Sequence, residues 1–141
     1  AVRRRELRLT MGMGGMMGGM GRGMMGGGMG LLGIDGRAFD MDRIDQTVRL
    51  GDTEIWQVSS EMMIHPFHMH GVHFQVLSRA GSRPAINDSG SRDTVLVQEA
   101  VEILVRFTQR AASVPFMFHC HTLEHEDAGM MGQYKTSDQA I

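Results

Sequence analysis

The stretch that decides the reading of this chain runs from residue 118 to residue 131, "FHCHTLEHEDAGMM", and holds its single cysteine, Cys120. In a β-strand successive side chains point to opposite faces, so His119 and His121 project one way and Cys120 the other, on the side of Phe116 and Phe118. One short strand can then serve two metal sites at once. After His121 the chain must turn, and "TLEHEDAGM" (122–130) is long enough to bring His125 and Met130 back to the cysteine's side. A thiolate, an imidazole and a thioether would then come from one loop.

A second imidazole is expected from "HPFHMHGVHF" (65–74), where His65, His68 and His70 fall within six residues and Pro66 restrains the backbone between them. Two histidines and a thiolate with a weak axial methionine form the blue-copper arrangement, which suits both Cu(I) and Cu(II). Zinc accepts Cys and His as well, but it has no use for an axial thioether, and its structural sites usually present paired cysteines. With His65, Cys120, His125 and Met130 assigned to one copper, four ligand-type histidines remain, and a simple electron carrier needs none of them.

Outside these motifs the chain is a series of short segments of strand character. "QTVRL" (46–50), "TEIWQVSS" (53–60), "VHFQVLSRA" (72–80), "TVLVQ" (94–98), "VEILVRFTQ" (101–109) and "VPFMFHCH" (114–121) are separated by Gly, Asp, Ser and Pro. Val101, Ile103, Val105 and Phe107 share one face, and that period of two argues a sheet with one buried side. Six such segments without a convincing helix predict an antiparallel sandwich or barrel. Residues 1–10, "AVRRRELRLT", read as a strand that ends a preceding domain, and residues 33–141 as a C-terminal β domain. Between them, 11–32 is a low-complexity segment; Met11 to Met29 contains only Met, Gly and one Arg, with eight thioethers in nineteen residues.

The chain's 141 residues suffice for one domain with a real core. A net charge of -2 offers no field to draw in nucleic acid or an anionic membrane. One cysteine excludes an internal disulfide, and no apolar run is long enough to span a bilayer.

"HPFHMHG" and "HCHTLEHEDAGMM" resemble the two C-terminal copper motifs of the multicopper oxidases, HPxHxHG and HCHxxxHxxxxM, and match them at every ligand position. The Met-rich segment and "EMMIHPFHMHG" (61–71) make the chain most similar to the bacterial copper-efflux cuprous oxidases. The resemblance implies an all-β, cupredoxin-like Greek-key sandwich, the third domain of such an enzyme. Carried over residue by residue, it implies that His65, Cys120, His125 and Met130 bind type 1 copper, His68 type 2 copper, and His70, His119 and His121 the type 3 pair. Electrons would pass from Cys120 through one residue of backbone to either neighbouring imidazole, and four one-electron oxidations would reduce O2 to water. The family's other cluster ligands are HxH motifs of its first domain, for which this chain has no unassigned pair. The N-terminal cupredoxin domains of a parent protein are therefore the expected partners.

The same resemblance marks Glu61 and Met63 as ligands for substrate Cu(I), a soft thioether beside a carboxylate; Met62 and Met63 could equally plug an apolar edge. It implies that Glu126 feeds protons toward oxygen, against the plainer reading of an exposed loop acid. Asp93 is either an acceptor tying the ligand loops together or a turn acid, and His73 reads as a solvent-facing strand residue. For Met11 to Met29 the functional reading is a lid that collects Cu(I), the plainer one a disordered linker. A laccase-like oxidase of phenols or other small organic reductants has the same copper ligands, and a stand-alone blue-copper carrier is the non-enzymatic alternative. The family's habit implies the periplasm and a role in copper tolerance.

Overall fold

In the computed structural model, residues 3–11, 32–84, 88–122 and 129–138 are described. They form ten strands: β1 Arg3–Thr10, β2 Gly33–Ile34, β3 Gln46–Arg49, β4 Thr53–Ser60, β5 His65–Met69, β6 Phe74–Arg79, β7 Thr94–Val97, β8 Val101–Arg106, β9 Phe116–Cys120 and β10 Met131–Ser137. No α-helix occurs among the described residues, so none there is long and apolar enough to cross a membrane. Two five-stranded sheets result, in the orders β2-β1-β4-β8-β6 and β3-β10-β9-β5-β7. The all-β sandwich is as expected, and each of the six predicted segments is a strand. The sheets are mixed rather than purely antiparallel, because β1 runs parallel to β4 and β3 parallel to β10.

Alternation along the strands builds the core. In β4, Trp56 and Val58 point inward; in β8, Val101, Ile103 and Val105 do the same, with Phe107 just beyond. Trp56 meets Phe118 of the opposite sheet edge-on, with ring centroids 5.5 Å apart. Edge-to-face pairing of this kind adds about 0.5–1.5 kcal/mol to what area burial alone gives.

Residues 1–10, expected to end a preceding domain, include a strand of this one. β1 pairs with β4 from Arg3–Glu54 to Leu9–Ser60, and Leu7 and Leu9 are buried in the common core. The strand is also tied to the other sheet. Arg5 Nε donates to Glu54 Oε1 at 2.6 Å, while its terminal nitrogens donate to Gln46 Oε1 at 2.8 Å and to the Thr47 carbonyl at 2.7 Å, both on β3. Trp56 Nε1 donates to the same Glu54 oxygen at 2.8 Å, so this buried carboxylate is fully engaged.

Most of the Met-rich segment and the expectations placed on it lie outside the described residues. Its two ends do not: Thr10 pairs with Gly33, and Met11 and Leu32 both pack against the core.

Candidate metal centre

β5 and β9 are neighbouring antiparallel strands, with Phe67 opposite Cys120 and His68 opposite His119. That register places two donor groups on opposite faces of the same pair of strands. His65, Phe67 and Met69 are buried on the core side along with Phe118 and Cys120. His68 and His119 lie on the other side, and His70 and His121, one residue past each strand, join them.

On the core side, His65 Nδ1 lies 3.5 Å from Cys120 Sγ, and both residues are fully buried. His65 Nε2 is 2.8 Å from the Met62 carbonyl. A carbonyl can only accept, so Nε2 carries the proton and Nδ1 turns its lone pair toward the sulfur. Met130 is fully buried as well, and its carbonyl accepts the Cys120 amide at 3.1 Å, so the loop after β9 brings the thioether residue back beside the cysteine. The Thr122 amide points at Sγ from 3.5 Å, a contact that favours the thiolate. His125 lies outside the described residues, as does Glu126.

On the outer face, the rings of His68, His70, His119 and His121 form one cluster. His68 is 4.9 Å from His70, 5.4 Å from His119 and 5.2 Å from His121, centroid to centroid, and His119 is 5.4 Å from His121. Ligand atoms of His68, His70 and His119 lie within 4.8 Å of one another. Their orientation is fixed by backbone. His68 Nδ1 lies 2.9 Å from the Asp93 carbonyl and His119 Nδ1 3.0 Å from the Cys120 carbonyl; both must donate there and so present Nε2 as a ligand atom. The Nε2 atoms of His70 and His119 face each other at 3.0 Å. With His119 Nε2 as the acceptor, His70 Nε2 donates across this distance, and once that proton is lost the two nitrogens stand close enough to ligate metal.

Asp93 contributes mainly through its main chain. Its carbonyl orients His68 and also accepts the Met69 amide at 3.2 Å, while its exposed carboxylate is 3.7 Å from His68 Nδ1. His73 is exposed, as expected, but precedes β6 rather than lying in a strand, at the rim of a cleft of about 460 Å³ that His68, His70, Asp93 and Phe116 also line.

One residue of the centre was not anticipated from sequence. Tyr134 donates its hydroxyl to the His70 carbonyl at 2.5 Å, and burial pushes its pKa well above the ordinary range. No spacing rule links residue 134 to residue 70; only the β9–β10 pairing brings them together. Met11, where the Met-rich segment begins, donates its amide to Glu61 Oε1 at 3.2 Å, which sets the start of that segment beside the Glu61–Ile64 loop. In that loop Met63 is 57% exposed and sits at φ +68, a left-handed conformation that costs a non-glycine residue roughly 1–2 kcal/mol. Ser60 Oγ holds the strained turn by sharing its one proton between the Met62 and Met63 carbonyls, 2.7 and 2.8 Å away.

A buried thiol and imidazole backed onto a four-imidazole cluster, in a two-sheet sandwich, define a cupredoxin-type metal domain, and soft and imidazole donors in this combination fit copper. The chain belongs to the multicopper oxidase family, whose model matches residues 9–140. It is 38% identical over 110 residues to the multicopper oxidase mco of Staphylococcus haemolyticus, covering 74% of this chain and 24% of that protein. It is also 42% identical over 102 residues to the cell division protein FtsP of Escherichia coli, covering 72% and 22%. A solved laccase-like multicopper oxidase CueO from the lignin-degrading bacterium Ochrobactrum sp. shares 43% identity, with a TM-score of 0.83 over 97% of this chain and 31% of that one. A multicopper oxidase from Campylobacter jejuni described as a metallo-oxidase superposes with a TM-score of 0.77 at 29% identity, over 96% and 30%. The chain thus spans about a quarter of the curated relatives it matches. Because one of those relatives is named for cell division, an activity has to be argued from the donor residues themselves.

Proposed function

We propose that this chain is the C-terminal copper-binding domain of an oxidase that takes electrons from Cu(I) and delivers them to dioxygen. The observation that carries the reading is the pair of donor groups on opposite faces of β5 and β9, joined through Cys120. His65, Cys120, His125 and Met130 would hold type 1 copper, His68 type 2, and His70, His119 and His121 the type 3 pair. Copper bound there supplies one-electron exchange on the core side and dioxygen reduction on the outer side.

The chain's own residues do the rest. Burial of His65 and Cys120 keeps water from the electron-accepting side. The backbone of Cys120 runs directly into His119 and His121, and the Cys120 carbonyl orients the His119 ring, so a short covalent and hydrogen-bonded path joins the two donor groups. The remaining ligands of the outer cluster would come from other domains of a parent protein. Glu126, adjacent to His125, is assigned the delivery of protons.

Glu61 and Met63, with Met11 now beside Glu61, make up the substrate site for Cu(I). Two features support this: the strained, exposed Met63, and the direct link from the same loop to His65 through the Met62 carbonyl. The Met-rich segment between the adjoining Thr10 and Gly33 is assigned to collecting Cu(I) at this point. A periplasmic setting and a role in copper tolerance complete the reading, on the family resemblance. The laccase-like alternative draws on the exposed Met62, Ile64 and Leu96, apolar surface that suits an organic reductant.

The test is anaerobic bleaching of the copper-loaded chain by Cu(I) and, separately, by a phenol, with Met63→Leu and Glu61→Gln beside the parent sequence. The expected result is Cu(I) oxidation slowed by about tenfold, a loss of about 1.4 kcal/mol of transition-state stabilisation, with the phenol rate unchanged. Equal slowing of both rates contradicts a Cu(I) site and favours the laccase reading.

A further inference from the structure

Residues 38–45, between β2 and β3, form no regular structure, and they lie across the arm that carries Met130. Gln133 of β10 is buried, and its side-chain nitrogen lies 3.0 Å from the Met41 carbonyl, 3.1 Å from that of Arg43 and 3.4 Å from that of Asp40. Two N–H groups thus serve three acceptors and gather the strap around one point. The Gln133 backbone exchanges two further bonds with Asp45: its amide donates to Asp45 Oδ2 at 2.9 Å, and its carbonyl accepts the Asp45 amide at 3.0 Å. Asp45 Oδ1 in turn accepts from Arg43 Nε at 2.7 Å, and Arg43 reaches back to the Ala38 carbonyl at 2.8 Å.

The other end of the strap grips the opposite side of Met130. The Phe39 amide donates to the Gly129 carbonyl at 2.9 Å, and Gly129 sits at φ +113 with the Ala38 backbone and side chain packed against it. A Cβ at Gly129 would lie 3.0 Å from the Ala38 Cβ, a tight approach, and the positive φ itself favours glycine. Met130 is therefore fixed at residue 129 by Phe39, at residue 133 by Asp45, and from inside by the Cys120 amide on its carbonyl.

An axial thioether is a weak, long ligand, so the protein decides where it stands, and its position tunes the redox potential of the centre. We propose that the strap 38–45 is the device that sets the axial thioether, with Asp45 and Gln133 as its positioning residues. The proposal rests on the reading of Met130 as the axial ligand. Neither residue touches the metal site itself; both act through the backbone of the arm.

Gln133→Met keeps the side chain's length and removes the amide, Asp45→Asn keeps the shape and loses the carboxylate's charge, and Met130→Leu is the reference. Val48→Ala, on β3 with its side chain in the core, controls for loss of stability. Each chain is loaded with Cu(II) for its visible and EPR spectra, and hydrogen exchange of the Cys120 amide is followed in metal-free protein. Gln133→Met and Asp45→Asn should move the ratio of the thiolate-to-copper bands in the direction of Met130→Leu. They should also speed exchange at Cys120 by about tenfold (about 1.4 kcal/mol) relative to the amides of β4 and β8. If Met130→Leu changes the spectrum while both strap variants match the parent, the strap has no positioning role. Acceleration equal to that in β4 and β8, or matched by Val48→Ala, reduces it to general stability and overturns the proposal. If Met130→Leu leaves a type 1 spectrum unaltered, the ligand reading fails first and the proposal with it.

Discussion

His68 and His119 face each other across β5 and β9, and each presents Nε2 because a backbone carbonyl holds its Nδ1. The residue after His119, Cys120, is turned to the opposite face, where it meets His65. Replacing an outer histidine should therefore leave the inner site alone. His119→Gln and His70→Gln are expected to keep the blue colour of the copper-loaded chain and to lose copper bound on the outer face, whereas His65→Gln removes the colour. Copper stoichiometry together with the visible spectrum checks this; loss of the blue band in His70→Gln contradicts the separation of faces.

Tyr134 is the chain's only tyrosine, which makes its titration directly readable. Desolvation raises its folded-state pKa above the ordinary 10.0. The native state therefore holds the phenolic proton more tightly than the unfolded chain, and that contribution is complete below pH 10.0 and is lost as pH rises beyond it. Stability should fall above that pH, and phenolate absorbance should appear together with unfolding rather than before it. Tyr134→Phe is expected to flatten this alkaline dependence and to weaken copper binding on the outer face by freeing the His70 carbonyl. A phenolate band that develops in the folded chain near pH 10 contradicts the account.

Gly71 follows His70 at φ +78, and a Cβ there would lie 2.4 Å from the ring of Phe116, which packs on Tyr134. Gly71→Ala combines backbone strain with overpacking and should destabilise the chain by about 1–3 kcal/mol. Urea unfolding gives the number, and a change within error of zero contradicts the packing described for this turn.

Arg5→Met strips the buried Glu54 of its charged partner while leaving Trp56 and the surrounding core in place. Removing one member of a buried pair costs about 3–5 kcal/mol. Unfolding followed by fluorescence of Trp56, the only tryptophan, should register a loss of that order, part of which Arg5→Met with Glu54→Gln restores.

Much of this was legible in the sequence because period-two alternation speaks clearly when a strand has one buried face. The opposition of Cys120 to His119 and the burial of alternate residues in β8 followed from it directly. β5 and β10 were harder to see. Pro66 removes an amide and argues against an interior strand, yet β5 lies between β7 and β9; Pro66 sits opposite Leu96, and its carbonyl accepts the His121 amide at 2.6 Å. β10, "MGQYKTS", is polar and has a glycine as its second residue, where a Cβ would lie 2.5 Å from the ring of Phe118. The pairing of β1 with β4 was hidden from the sequence for a related reason. Parallel pairing with β4 links residues about fifty positions apart, and local pattern carries no record of the partner. Likewise the strap 38–45 reads as turn residues, and only the fold brings it to Gln133.

The most direct test of the central claim is the visible and EPR spectrum of the chain after addition of Cu(II), beside Cys120→Ser. The account expects an intense blue band with a small copper hyperfine splitting, lost in the variant. A colourless protein with ordinary tetragonal copper, the same in both chains, would contradict the assignment of Cys120 and His65 to a type 1 site.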